Sequence, residues 1–508
     1  MIHLHGLLIL GLLSVAQPIE ASVGRAACAT PVDQLDDLKV KLRSDDDRER
    51  RAAVTSLAQL GGEEAWSLVV SLLADDEAQV ADQAQIELAG VPDAHLKELF
   101  GKQGLGSRRG NTALRVAEAL GRRASAPDQS LLIKALKHKD EDVRRSLLWS
   151  VERLARNGHL DGGEEKLTTA IEKAAERGGT ATLRAQALVT LGALTGEKSV
   201  MALLLVLEWL ESKHPEQRAA ALELAELVPE EIRLFMVRES MGDREALVRL
   251  RAYQALERRR DREGVRALVD SLEAEANLRL SWTLVEILRG LSGRKHGRDV
   301  RPWSQWAETL ADDWAPAKAD GSPQALEGEE RTASFVGLPV LSERVAFLID
   351  FSGSMWQERD GKTRKQRVDV ELRRALESLP ESTRFNLHPY TLEPLRWQKK
   401  LTTATAKNVQ RALKYFEDCQ AHGKGNFWDA ALDAMQDPEV DTLMLLTDGA
   451  PSGGQRWNMD LIKDLFVHEN RFRGVFVDAL LVDTKGRLVG YWDELTAGTG
   501  GRMLQVEL

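Results

Sequence analysis

Val345 to Ile349 (VAFLI) is an unbroken apolar run that closes on Asp350, Ser352 and Ser354, and it constrains the fold more than any other stretch. Apolar residues at consecutive positions fit a strand buried on both faces, as in a parallel sheet. Three oxygen-bearing side chains then fall at alternate positions, and Gly353 allows a tight turn among them. In open α/β sheets, ligands bind in the crevice outside the carboxyl ends of the strands. A carboxylate and two hydroxyls there suit a hard divalent cation, which takes oxygen ligands and keeps some of its water. A second edge of the same kind follows: Thr442–Thr447 (TLMLLT), then Asp448, Gly449 and Pro451. A lone aspartate at a strand end is usually a helix cap or turn residue. That accounts for either edge but not for both together.

The D-x-S-x-S of the first edge and the T-D-G of the second resemble the metal-ion-dependent adhesion site of von Willebrand factor A (VWA) domains. The resemblance covers the chain from about Thr332 to its end. It implies an α/β doubly wound domain, 335–508, in which Ser352 and Ser354 bind a cation directly. Asp350 and Asp448 then act directly or through water, and a partner's acidic side chain completes the octahedron. The implied ion is Mg²⁺, with Mn²⁺ or Ca²⁺ as alternatives. One departure matters. The family's G-x-T-N loop is here Gly423-Lys424-Gly425-Asn426, so the threonine ligand is missing and Lys424 adds a positive charge. The remaining pattern alternates as a doubly wound sheet requires. Helices are expected at Arg364–Leu379, Ala404–Ala421, Phe427–Met435, Met459–Glu469 and Trp492–Thr499. Strands are expected at Thr383–Thr391, Gly474–Val482 and Met503–Val506.

Residues 32–309 read as helix almost throughout, and the pattern repeats. Arg51-Ala52-Ala53-Val54…Leu57…Leu60-Gly61 is echoed by Leu114-Arg115-Val116-Ala117…Leu120-Gly121 and by Leu183-Arg184-Ala185…Leu188…Leu191-Gly192. Copies lie about 29 to 40 residues apart, the period of a helical-hairpin solenoid. Acidic turns at Ser44–Asp47 and Lys139–Asp142 punctuate them. This all-α region looks like about eight HEAT repeats, whose extended surface is expected to hold a protein partner. Trp303 and Trp306, one helical turn apart, are expected to cap its end. The Arg-rich stretch Arg249–Arg262 has apolar residues at helical spacing and reads as a solvated helix face with snorkelling arginines. A linker, 310–334, is rich in Ala, Asp, Glu, Gly and Pro and is expected to be mobile.

Leu7–Ala16 (LLILGLLSVA) is too short to span a bilayer comfortably and is followed by small residues. It reads as a signal peptide, residues 1–21, with cleavage after Ala16 or Ala21. The chain is therefore expected in a bacterial-type envelope, in the periplasm, at the surface or secreted, with no transmembrane helix after processing. A net charge of −10 over 508 residues argues against nucleic acid as a partner. Cys28 and Cys419 fall in different regions and are read as unbridged.

No catalytic signature emerges. Asp360-Gly361-Lys362-Thr363 mimics the tail of a phosphate loop, but Trp356 replaces the leading glycine. His388 reads as a structural histidine, and His422 beside the Gly-rich loop as one placed to approach the crevice. The sequence thus describes a multidomain, non-enzymatic adhesion or scaffold protein. A metal-independent assembly subunit of an envelope complex, with a degraded cation site, is the alternative.

Overall fold

The structure, a computed structural model, describes residues 31–163, 165–316 and 333–507. The signal-peptide segment, Cys28 and the stretch 317–332 of the expected linker lie outside the described residues. From Pro31–Lys41 to Val300–Glu308 the described chain is helical, interrupted only by turns and by a π-helical segment at Lys97–Leu105. The acidic turns act as N-caps: Asp46 accepts from the Arg48 amide, and Asp140 from the amides of Asp142 and Val143. Successive inner helices (Ala78–Leu88, Thr112–Leu120, Glu141–Arg156 and Ala181–Thr195 among them) pack side by side. Equivalent contacts link them at a near-constant offset. Gln85 donates to Glu118, Ser150 to the Ala117 carbonyl and Gln186 to Glu152, at separations of 33, 33 and 34 residues. The leucine-glycine step of the sequence pattern has a steric cause. A Cβ on Gly121 would sit 2.8 Å from Ser150 Oγ and 2.9 Å from Ser150 Cα, so only glycine permits that crossing. Trp303 is fully buried at the end of the array and Trp306 nearly so, with ring centroids 6.0 Å apart; Trp314 packs on Trp306 at 5.8 Å.

The C-terminal part is a six-stranded sheet flanked by helices. Its strands are β1 (Arg344–Asp350), β2 (Arg384–Tyr390), β3 (Thr402–Thr403), β4 (Thr442–Thr447), β5 (Phe476–Val482) and β6 (Met503–Val506). Their order is β6-β5-β4-β1-β2-β3, all parallel except the β2–β3 pair. The chain leaves β1 toward β2 on one side and returns to β4 on the other. The switch point therefore lies between β1 and β4, the two strands that end in the acidic motifs. From Val345 onward every residue of β1 is buried, as is all of β4, which explains their unalternating apolar sequence. Short β3 carries no periodic signal of its own; it pairs Arg384 with Thr403 and Phe385 with Thr402. Asp360 and Gly361, both at positive φ, turn a hairpin between Glu358–Arg359 and Lys362–Thr363, so this segment is a turn and not a phosphate loop. Among the described residues no helix is long and apolar enough to cross a membrane.

The helical array and the sheet are not separate bodies joined by a tether. The Met459–Asn470 helix and the loops at both its ends lie against the inner helices. Asp82, fully buried, accepts from Arg115 (2.5 Å) and from the amides of Trp457 (2.6 Å) and Asn458 (2.7 Å). Arg456 enters the same cluster and donates to Gln85 (2.8 Å) and Glu118 (2.7 Å). At the other end of the helix Arg471 bridges Glu152 (2.7 Å) and Glu223 (2.5 Å). Farther along, Arg279 pairs with buried Asp478 of β5 at 3.1 Å and lies 4.3 Å from the centre of the Phe476 ring. The inner face of the array is occupied by this chain's own sheet domain. One expectation is corrected. Within Arg249–Arg262, Arg258 and Arg260 are exposed as a solvated face requires, but two arginines are not: Arg249 pairs with Glu275, and Arg251 with Glu223 and the Arg471 carbonyl. The physical reason is that the carboxylates they meet come from other helices of the array, and the Arg471 carbonyl from the sheet domain, which a local pattern does not contain.

Burial opposes the ionisation of Glu152 and Glu223, yet Arg471 holds both carboxyls below their usual range. Removing that guanidinium leaves two buried charges without their main partner. Arg471→Ala is expected to cost about 3–5 kcal/mol of stability, read from the midpoint of chemical denaturation. A loss under about 1 kcal/mol would show that this contact is no more than a surface ion pair.

Candidate functional site

Register brings the two acidic edges together. β1 and β4 are neighbours, with Ile349 opposite Leu446, so Asp350 and Asp448 emerge at adjacent strand ends. Asp350 is buried to 4% exposure, and both its oxygens are held. Oδ1 accepts from the Ser352 amide (2.8 Å), and Oδ2 from the hydroxyl of Thr447 (2.9 Å), the last residue of β4. The Ser352 and Ser354 hydroxyl oxygens lie 2.9 Å apart, on a turn that continues into the short helix Gly353–Trp356. Burial pushes the Asp350 carboxyl up to about 6, and the negative charge of Asp448 adds to the rise against the lowering effect of the Ser352 and Thr447 hydrogen bonds. Asp350, Ser352 and Ser354 are thus joined in one turn, and Asp448 at the neighbouring strand end is close enough for its charge to act on Asp350.

The Gly-rich loop closes one side. Ser352 bridges to Gly423, and the Gly425 amide donates to Ser452 Oγ (2.8 Å). A Cβ added to Gly425 would lie 3.1 and 3.2 Å from the two Asp350 oxygens, so the loop backbone itself packs on the carboxylate. Asn426 caps the Phe427–Ala434 helix and donates to the Leu392 carbonyl (2.7 Å). Lys424 points away from the carboxylates and pairs with Glu77 of the helical array at 2.8 Å. His422 is exposed, its ring 6.2 Å from that of Trp356, and its Nδ1 lies 3.1 Å from the Gln420 carbonyl oxygen, which accepts from it when that nitrogen carries the proton. His388 is buried at 3.6 Å from Asp433, away from these groups.

Several residues at the crevice gave no advance notice. Thr447 is one, although it sits in the motif itself. Tyr390, the β2 residue paired with Asp350, is another. Its hydroxyl is buried, and burial together with the negative charges of Asp350 and Asp448 raises the phenol well above its ordinary range. Arg364 donates to Asp448 Oδ2 (3.1 Å) and to Asp483 Oδ2 (2.8 Å). Asp483 had a usable signal: it follows the apolar strand β5 as Asp350 ends β1 and Asp448 follows β4. Arg364 had none, because only the fold brings the start of its helix to these strand ends.

The donor set is chemically suited to a hard cation. Every candidate group is an oxygen, and two cis ligands of a Mg²⁺ octahedron stand about 2.9 Å apart, the separation found between the two serine hydroxyls. Ser352 and Ser354 would hold such an ion directly, with Asp350 and Asp448 beside it. Bound there, it would supply an electrophilic centre for an incoming carboxylate. Among the described residues no group of three or more His, Cys, Asp or Glu side chains forms a metal cluster.

Residues 343–476 match the family model of the von Willebrand factor type A domain, and the C-terminal part of the chain carries a VWA domain. Inter alpha-trypsin inhibitor heavy chain 4 of Mus musculus is 32% identical over 130 residues, covering 23% of this chain and 13% of its own length. The human heavy chain H4 is 32% identical over 131 residues, covering 23% of this chain and 14% of its own length. The similarity therefore spans about an eighth of these relatives. The crystal structure of the SpRpn10 VWA domain is 12% identical, with 32% of this chain and 87% of that one covered, at a TM-score of 0.25.

An acid whose folded-state pKa lies above its unfolded value favours folding only when protonated. Ionised Asp350 therefore opposes folding above pH 6, and this opposition fades as the pH falls toward 4. In EDTA, Asp350→Asn is expected to raise the unfolding free energy at pH 7.5 by up to about 3 kcal/mol. The gain should vanish near pH 4 in denaturation series at stepped pH. A difference that does not change with pH would contradict this account.

Proposed function

We propose that this chain is an exported, non-enzymatic protein-interaction protein in which a helical array of HEAT type carries the VWA domain. In this reading the crevice around Asp350, Ser352, Ser354 and Asp448 takes a divalent cation, Mg²⁺ or alternatively Mn²⁺ or Ca²⁺. An acidic side chain of a protein partner completes its shell. The observation that carries the reading is the 2.9 Å approach of the Ser352 and Ser354 hydroxyls beside a buried carboxylate at the switch point. Export rests on the apolar segment Leu7–Ala16.

The residues themselves have plain roles. Thr447 and the Ser352 amide orient the Asp350 carboxylate, and the loop from Gly449 to Asn458 is anchored on the array through Arg456. The cation supplies the positive charge that a partner's carboxylate meets. With its inner face filled by the VWA domain, the array acts as the mount that holds the crevice in a fixed orientation, and its outer face is what remains for further partners.

One observation favours a second reading. Arg364 already gives Asp448 a positive partner, and Gly425 supplies no hydroxyl, a pattern that suits a metal-independent assembly subunit. Restoring the threonine is hindered by the close approach of Gly425 to Asp350, so the two readings are better separated by removing a ligand. Mn²⁺ titrated calorimetrically into the full chain is expected to bind at one site. Ser352→Ala with Ser354→Ala is expected to weaken that binding at least about tenfold while leaving the fold intact by circular dichroism. Flat traces for both proteins would favour the assembly reading, and flat traces that persist in Arg364→Gln as well would discard the cation.

A further inference from the structure

Arg364 stands at the first position of the Arg364–Glu377 helix, directly after the Asp360–Gly361 hairpin. Its guanidinium spans two strand ends: one nitrogen is 3.1 Å from Asp448 Oδ2 and another 2.8 Å from Asp483 Oδ2. Asp448 follows β4 and Asp483 follows β5, neighbouring strands in the sheet. Arg359 adds a second, more distant positive charge, 3.9 Å from Asp483. The Arg364 side chain is one-fifth exposed and the Asp448 side chain less than one-tenth, so solvent screens the pair only weakly. A guanidinium stays protonated at any physiological pH. The charge beside Asp448 is therefore permanent.

We propose that Arg364 is the built-in competitor for the crevice cation, and that it sets how tightly the site binds a divalent ion. The inference rests on the cation reading of the crevice. With Arg364 on Asp448, that carboxylate is neutralised in part, and a second cation beside it meets direct repulsion. A divalent ion gains the full Asp448 charge only when Arg364 withdraws. Asp483 gives it somewhere to go: the shorter of its two contacts is already there, so the guanidinium can keep one carboxylate while releasing the other. Asp483 holds a left-handed backbone conformation, φ +50°, which an aspartate tolerates better than most residues. That conformation sets its carboxylate where it meets Arg364. The strength of the Arg364–Asp483 contact thus tunes the availability of Asp448.

The arrangement predicts opposite effects from two substitutions that each break the same ion-pair cluster. Mn²⁺ binding to the full chain is measured calorimetrically for wild type, Arg364→Gln, Arg364→Lys and Asp483→Asn, with circular dichroism as the check on folding. Arg364→Gln is expected to bind Mn²⁺ about tenfold tighter or more, and Arg364→Lys to stay near wild type. Asp483→Asn is expected to bind several-fold weaker, because Arg364 is left with Asp448 alone. Binding by Arg364→Gln where wild type shows none also supports the proposal. If wild type binds and folded Arg364→Gln binds no tighter, the proposal is overturned while the cation reading stands. If neither protein binds, both fall. Should Arg364→Gln fail to fold, Asp483→Asn decides: unchanged or tighter binding overturns the proposal.

Discussion

Two parallel strands, β1 and β4, lie side by side and are buried on both faces, and the crevice follows from that one adjacency. Hydrogen-bonded neighbours in a parallel sheet end close together, so two chain segments far apart in sequence deliver two carboxylates to one place. Like charges brought together in a low dielectric resist ionisation. The fold answers with fixed dipoles and one fixed charge: the Ser352 amide and the Thr447 hydroxyl on Asp350, and Arg364 on Asp448. A divalent cation would be a stronger answer to the same electrostatic problem, and for that reason the serine pair and Arg364 belong in one account.

Buried ion pairs decide how the crevice faces the rest of the molecule. The loop after Asp448 is pinned through Arg456 to Gln85 and Glu118, and the helix that follows it ends on Arg471 with Glu152 and Glu223. Each of these arginines leaves the sheet domain and finds its carboxylate partners on the array. Buried pairs of this kind add little net stability over a well-packed apolar contact, but mismatching them is costly. They therefore select one docking geometry. The Lys424–Glu77 pair at the crevice rim follows from that geometry: a lysine that the sequence sets beside the missing threonine is turned outward to the array.

Much of this was legible in the residues. Helix and strand assignments along the VWA domain hold to within a few residues, except for the Trp492–Thr499 helix, which begins at Arg487. Thr442–Thr447 and Met503–Val506 match at both ends. What could be read was whatever has a short period: consecutive apolar residues for doubly buried strands, leucine-glycine steps for helix crossings, aspartates at helix starts. What could not be read was set by contacts between distant segments. β3 is two residues long and exists only because β2 offers it an edge. The Arg249–Arg262 stretch looked solvated because its partners, Glu223, Glu275 and the Arg471 carbonyl, lie on other helices and on the other domain.

By itself the sequence determined a helical array followed by a doubly wound sheet, and it named the oxygen donors at the ends of β1 and β4, because burial and turn chemistry are written in local pattern. The tertiary structure alone decided that Arg364 and Asp483 join those donors, that Tyr390 lies beneath them, and that the array's inner face is already filled. These are outcomes of register and docking, where Coulomb forces and packing act between residues that share no local sequence.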